Sequence, residues 1–208
     1  MWKSLNNAGG PWISMDLKEM SQHYLEREIE VLEKLDMEAV QKVVKAFEEA
    51  FERESAIYVF GNGGSASTAS HMANDFNKGI SEYTEKKFRV QCLNDNVATV
   101  LAVANDIGYD DIFSFQLKNK VKAKDLVIGI SGSGNSENVI RALAYAKEQG
   151  AVTMAVVGFH GGKAAEIADI VFHVPLCNMQ IVEDVHMILN HMVMSVVMQH
   201  WNIKKEGC

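Results

Sequence analysis

The spacing of apolar residues changes along this chain and divides it into stretches of different structure. From Asp16 to about Arg53 the apolar positions recur at three- and four-residue steps: Leu25, Ile29, Leu32 and Leu35, then Val40, Val43, Val44, Phe47 and Phe51. That is the period of helices burying one face, and a break at Leu35–Glu38 makes them two. Beyond them five short β-rich runs, Ala56–Phe60, Phe88–Leu93, Leu126–Ser131, Val152–Val157 and Ile170–Val174, alternate with helical patterns. The helices are predicted at Ser65–Asn77, Val97–Asn105, Asp110–Lys120, Glu137–Gln149 and Gly162–Ile167, and a long one closes the chain from about Ile181 to Trp201. Such alternation predicts an α/β fold, a three-layer αβα sandwich around a five-stranded parallel sheet, with N-terminal helices and a long C-terminal helix added. The last helix carries Met187, Met192, Met194 and Met198 among Val and Ile and needs cover on more than one side, so an oligomer is expected. Residues 1–14 read as a loose tail and 15–204 as one domain without internal repeats.

Two strand-to-helix turns interrupt the apolar pattern with glycine and serine. In IGISGSGNSE, Ile128–Glu137, Gly132 and Gly134 let backbone approach a ligand, and Ser131, Ser133 and Ser136 offer hydroxyls. The helix that opens there adds unpaired N–H groups and its positive dipole end, which together cradle an anion such as a sugar phosphate. The loop lacks the lysine of a P-loop and the third glycine of a dinucleotide fingerprint; an ordinary helix-capping turn is the plainer alternative. GNGGSAS, Gly61–Ser67, is the second turn, with Asn62 and Ser65 able to meet ligand oxygens and Ser65 equally able to be only an N-cap. Ligands of open parallel sheets sit beyond the carboxyl ends of the strands, where both turns would lie.

Composition limits the partners. With 208 residues, 48% hydrophobic and 23% charged, the chain can bury one good core without staples. A net charge of -7 excludes broad attraction to nucleic acid or anionic membrane, so a phosphate must be held by local groups. Cys92, Cys177 and Cys208 form no C-x-x-C pair and suit a reducing cytoplasm. No apolar run is expected to span a bilayer, and the first 14 residues lack the features of a signal peptide.

Ionisable residues on two helices suggest chemistry. His71 and Asp75 are spaced i,i+4 on one helix face, which suits a shared metal or proton relay and equally a plain surface pair. In the closing helix Glu183, His186 and His191 stand among apolar residues, and His186 is read as a satisfied core histidine. Glu183 and His191 are about 80° apart around the axis and roughly 12 Å apart along it, within reach of one ion if their side chains lean together. With His71 and Asp75 they would make a two-His, two-carboxylate set for zinc or another divalent metal.

GNGGSAS, LAVANDIGYDDIFS, SGSGNS, GFHGGK and the closing E-D-V-H-x4-H, five motifs in order from about Met15 to Trp201, resemble the phosphoheptose isomerases of the sugar isomerase (SIS) fold. The resemblance implies a flavodoxin-like sheet, a cytoplasmic homotetramer with active sites between subunits, and a zinc ion. It also implies isomerisation of sedoheptulose 7-phosphate to D-glycero-D-manno-heptose 7-phosphate for cell-surface glycans. By matching position it makes Asn62, Gly63, Gly64, Ser65, Asn105, Asp106, Ser131, Gly132, Ser133, Ser136 and Glu183 substrate contacts. His71, Asp75, Glu183 and His191 become metal ligands, with Asp75 also the base and His191 the acid. This chain departs from the family pattern in having Asp75 for Glu, Glu183 for Gln, Gln180 for an acidic residue, and Gly79 beside Lys78 for Arg. Two other SIS activities stay open at this level: a sugar-phosphate-binding regulator of a replication-initiator protein, and an isomerase of another ketose phosphate.

Overall fold

The computed structural model describes residues 16–203, so the expected 1–14 tail lies outside it. Contacts divide the chain after Lys34 into two units. The first contains α1 (Leu17–Glu33), opened by Glu19, whose carboxylate accepts the Asp16 N–H at 3.3 Å. Helix α1 buries none of its residues and leaves Leu17, Met20, Leu25 and Ile29 exposed.

The second unit opens with α2 (Met37–Glu52), capped by Asp36, whose carboxylate accepts the Glu38 and Ala39 N–H groups. The strands are β1 (Ile57–Gly61), β2 (Val90–Cys92), β3 (Leu126–Ser131), β4 (Val152–Val157) and β5 (Ile170–His173). Between and after them come α3 (Gly64–Asn74), α4 (Val97–Asp106), α5 (Ser114–Leu117), α6 (Glu137–Glu148), α7 (Gly162–Ile167) and α8 (Met179–His200). All five strands pair in parallel in the order β2-β1-β3-β4-β5. Tyr58, Phe60, Val127, Ala155 and Val157 point to the face covered by α4–α7, where Phe60 stacks on Phe113 with ring centroids 4.8 Å apart. The alternate residues, among them Ile57, Val59, Ile128 and Ile130, are buried on the face packed by α2, α3 and α8. Chain connections leave β1 and β3 in opposite directions along the sheet, which puts their helices on opposite faces and opens a crevice between the two strand ends.

Three elements differ from the sequence reading. The helix expected to Asn77 is α-helical only to Asn74 and continues as a π-helix, Asp75–Ile80, and a short tight turn, Ser81–Tyr83. The wider turn presents Asn77 to the sheet edge, where its amide donates to the Val90 carbonyl at 2.8 Å and accepts the Val90 N–H at 2.9 Å, replacing a neighbouring strand. The helix expected at Asp110–Lys120 shrinks to a tight turn, Tyr109–Asp111, and the single turn of α5, before Asn119 takes a φ of 61°. Helix α8 is, against expectation, long and apolar enough to cross a bilayer by length and composition; half of that stretch is buried in the domain, against α2 and α3, as in a core helix.

Burial on α8 has an electrostatic cost. His186 is 1% exposed as expected, yet neither ring nitrogen makes a hydrogen bond, so it is not the satisfied histidine read from the sequence. Burial pushes its pKa down to about 4, a shift that the nearby Val157 backbone offsets only in part without reaching hydrogen-bonding geometry. The unfolded chain takes up this proton near 6.5 and the folded chain only near 4. Stability is therefore expected to fall as pH drops from 6.5 to 4, by roughly 3 kcal/mol from this group. Urea midpoints measured across that interval should flatten in His186→Leu, and parallel curves for the two proteins would refute the assignment.

Candidate active site

Both glycine-rich turns stand at the crevice between β1 and β3, where Gly61 pairs with Ile130. Gly63, with φ 56°, reverses the chain into α3, so the cap of this helix is Gly63 and not Ser65, which lies buried in its first turn. Asn62 and Asn138 join the two turns: the Asn62 amide donates to Asn138 Oδ1 and Asn138 donates back to Asn62 Oδ1, both at 2.9 Å. The Tyr109 hydroxyl also meets Asn62 Oδ1 at 2.9 Å and so ties in the NDIGYDD segment. Asn105 and Asp106, expected ligand contacts, lie exposed at the end of α4, with the Asn105 amide donating to Asp106 at 2.7 Å.

In the SGSGNS turn the Ser131 and Ser136 hydroxyls face each other at 3.1 Å, and Ser131 Oγ also accepts the Gly134 N–H at 3.2 Å. Ser133 Oγ accepts the Asn135 N–H at 3.2 Å. The GFHGGK loop braces this turn from behind: Ala164 N–H donates to the Gly134 carbonyl at 2.9 Å, Lys163 N–H to Asn135 Oδ1 at 3.2 Å, and Gly158 N–H to the Gly132 carbonyl at 3.0 Å. Gly132 lies against the Met179 sulfur at the start of α8. Arg141, one turn into α6, is held by Glu137 at 3.0 Å, Asp111 at 2.9 Å and Asp110 at 3.4 Å, so an anion at this turn meets hydroxyls and backbone N–H groups rather than that guanidinium.

Farther along α3 the i,i+4 spacing puts His71 over Asp75, and α8 brings His191 against them. The two Nε2 atoms are 2.9 Å apart, and Asp75 Oδ2 lies 3.2 Å from His71 Nε2 and 3.6 Å from His191 Nε2. Asp75 is 12% exposed at its side chain and the imidazoles 42% and 56%, so the carboxylate forms the floor of an open cluster. Four tetrahedral ligands at zinc distances of about 2.0–2.1 Å lie about 3.3 Å from one another, and this triangle matches one face of such a set. The donor types, two imidazoles and one carboxylate with a fourth position open, also fit a catalytic divalent ion. Glu183, the fourth expected ligand, is not in this group: its carboxylate sits against Gly64, at a place a Cβ would occupy, on the positive end of α3.

Sequence reasoning missed Asn138, Tyr109 and Asn190. Asn190 is 0% exposed and its amide donates to Asp75 Oδ2 at 2.7 Å. A signal for it existed, since position 190 continues the apolar stripe of Ile181, Val182, Val185 and Leu189, and a polar residue on such a stripe needs a partner.

The SIS domain family model matches residues 22–158. A probable phosphoheptose isomerase of Thermoplasma volcanium is 33% identical over 183 residues, 88% of this chain and 91% of the relative. The phosphoheptose isomerase of Helicobacter pylori strain 26695 is 32% identical over 85% of this chain and 90% of its own. Among solved structures, the phosphoheptose isomerase of Neisseria gonorrhoeae superposes with a TM-score of 0.81 at 28% identity, over 88% of this chain and 100% of that one. With its flavodoxin-like sheet order, its two glycine turns at one crevice and these relatives covering nearly all of its length, the chain belongs to the SIS-domain family and, within it, to the phosphoheptose isomerases.

Proposed function

We propose that this phosphoheptose isomerase converts sedoheptulose 7-phosphate into D-glycero-D-manno-heptose 7-phosphate in the cytoplasm, using a divalent metal ion, zinc, held by His71, Asp75 and His191. The convergence of those three side chains, from α3, the π-helix that continues it and α8, is the observation that carries this reading. Aldose–ketose isomerisation requires a base for the proton beside the carbonyl, and an acid that returns a proton to the neighbouring oxygen or carbon of the enediol. With Asp75 Oδ2 and His191 Nε2 turned to the metal position, Asp75 would take that proton on Oδ1 and His191, the most exposed of the three, would return one from Nδ1. The metal, when bound, supplies polarisation of the carbonyl and hydroxyl oxygens. The Ser131–Ser136 turn holds the phosphate through N–H groups and hydroxyls, and Asn62 fixes the crevice beside it. Two features support a homotetramer with sites shared between subunits: the imidazoles are open to solvent, and α1 buries none of its own apolar side chains.

NMR of the protein with sedoheptulose 7-phosphate tests the reading. An aldose phosphate should form, its rate should fall at least 100-fold after chelation, and zinc should restore it. Conversion untouched by exhaustive chelation would remove the metal, and binding of the sugar phosphate without conversion would remove the substrate or the activity.

A further inference from the structure

We propose that Asn190 is a positioning residue that tethers Asp75 from α8, making up for the short reach of an aspartate carboxylate. Its amide donates to Oδ2 of Asp75 at 2.7 Å, and that same oxygen faces both imidazoles. The bond runs across the packed helices, so α8 supplies His191 and, from the preceding residue, the group that aims the carboxylate at it. Asn190 is wholly buried, and its other end, Oδ1, has no hydrogen-bond partner. A buried amide with an orphaned carbonyl is a poor choice for stability alone, because one of its two polar ends stays unpaired in the core. Turning the amide round would not relieve it: the carbonyl oxygen would then meet the Asp75 carboxylate, so the orientation is set by that oxygen. The arrangement has the form of a residue kept for the carboxylate it aims and not for the core it occupies.

The inference rests on the roles given above to Asp75 and His191, and the test separates the two. In Asn190→Leu, kcat on sedoheptulose 7-phosphate should fall about 10- to 100-fold, the range in which groups supporting a metal ligand act. KM should stay within about threefold, since the phosphate turn is elsewhere, and the thermal midpoint should change little, because losing the donor to the Asp75 carboxylate opposes relief of the orphaned Asn190 carbonyl. Cobalt(II) affinity, read from the visible spectrum of the loaded protein, should weaken by a similar 10- to 100-fold. Asp75→Glu combined with Asn190→Leu should recover most of both losses, because the longer carboxylate no longer needs the tether. A stable Asn190→Leu protein with unchanged kcat and cobalt affinity would overturn the proposal, as would a double variant whose losses simply add. Should the wild-type protein neither turn over the sugar nor bind cobalt, the proposed function fails. The tether is then decided by the crystal structure of Asn190→Leu: it stands if the Asp75 carboxylate has swung away from His71 and falls if it has not moved.

Discussion

Replacing His191 by Ala is expected to lower turnover of sedoheptulose 7-phosphate by about 1000-fold or more while leaving the protein folded and its grip on the phosphate almost unchanged. The imidazole is more than half exposed, so truncation removes little packing, and an effect on stability should stay within about 0.5 kcal/mol. The loss in rate combines a missing proton donor, which alone contributes about 100- to 10,000-fold, with one corner of the His71, Asp75, His191 triangle. Phosphate affinity should survive because the Ser131–Ser136 turn meets α8 at Met179 and Val182, nine or more residues and roughly 13 Å or more before His191. Steady-state kinetics, with inorganic phosphate as a competitive inhibitor, separates the two effects. Full activity in this variant would sink the site assignment.

The second large effect is expected at Gly134. Its φ is 65°, and a Cβ there would run into the carbonyl oxygen of Gly161, backbone meeting backbone with no flexible side chain to yield. Left-handed strain and overpacking together predict that Gly134→Ala loses roughly 2–5 kcal/mol of stability. The substrate KM should rise about tenfold or more, because pushing the GFHGGK loop away also breaks the Ala164 N–H bond to the Gly134 carbonyl. Gly63→Ala is the comparison for strain alone: with φ 56° and ψ -122° the backbone lies outside the left-handed helical well, so an alanine costs about 1–3 kcal/mol, but nothing lies near the Cβ position. A Gly134→Ala protein that loses no more in urea melts than the about 1–2 kcal/mol of left-handed strain, with its KM unchanged, would show that the contact between the two loops carries no weight.

Much of this fold could be read from the chain because its strands are short, β-rich and buried on both faces. β3 and β4 have the predicted ends, Leu126–Ser131 and Val152–Val157. Where the reading failed, long-range partners had decided the local shape. Nothing near Asp75 announces a π-helix; it becomes intelligible once Asn77 is seen closing the edge of β2, a strand thirteen residues on. The periodicity of helix α2 shows a face to bury but not what covers it; seven of its residues are buried and it packs on the sheet and on α8. In the site, His71 and Asp75 are a local i,i+4 pair and were legible as such, whereas the place of Glu183 depends on how α8 crosses α3. Its carboxylate is drawn to the Gly64 end of α3 and away from the imidazoles, which periodicity along a single helix cannot show.

The Asn62–Asn138 pair has a property that follows from counting protons. With the Tyr109 hydroxyl donating, both lone pairs of the Asn62 carbonyl are occupied, and the amide has one N–H left to offer a ligand. If both amides turn over together and Tyr109 accepts instead, every internal bond is kept on the same heavy atoms, and what Asn62 offers is a carbonyl lone pair. One fixed point of the crevice is thus compatible with either polarity of partner. A ligand oxygen that is a carbonyl in one isomer and a hydroxyl in the other would find a complementary group at that point in both.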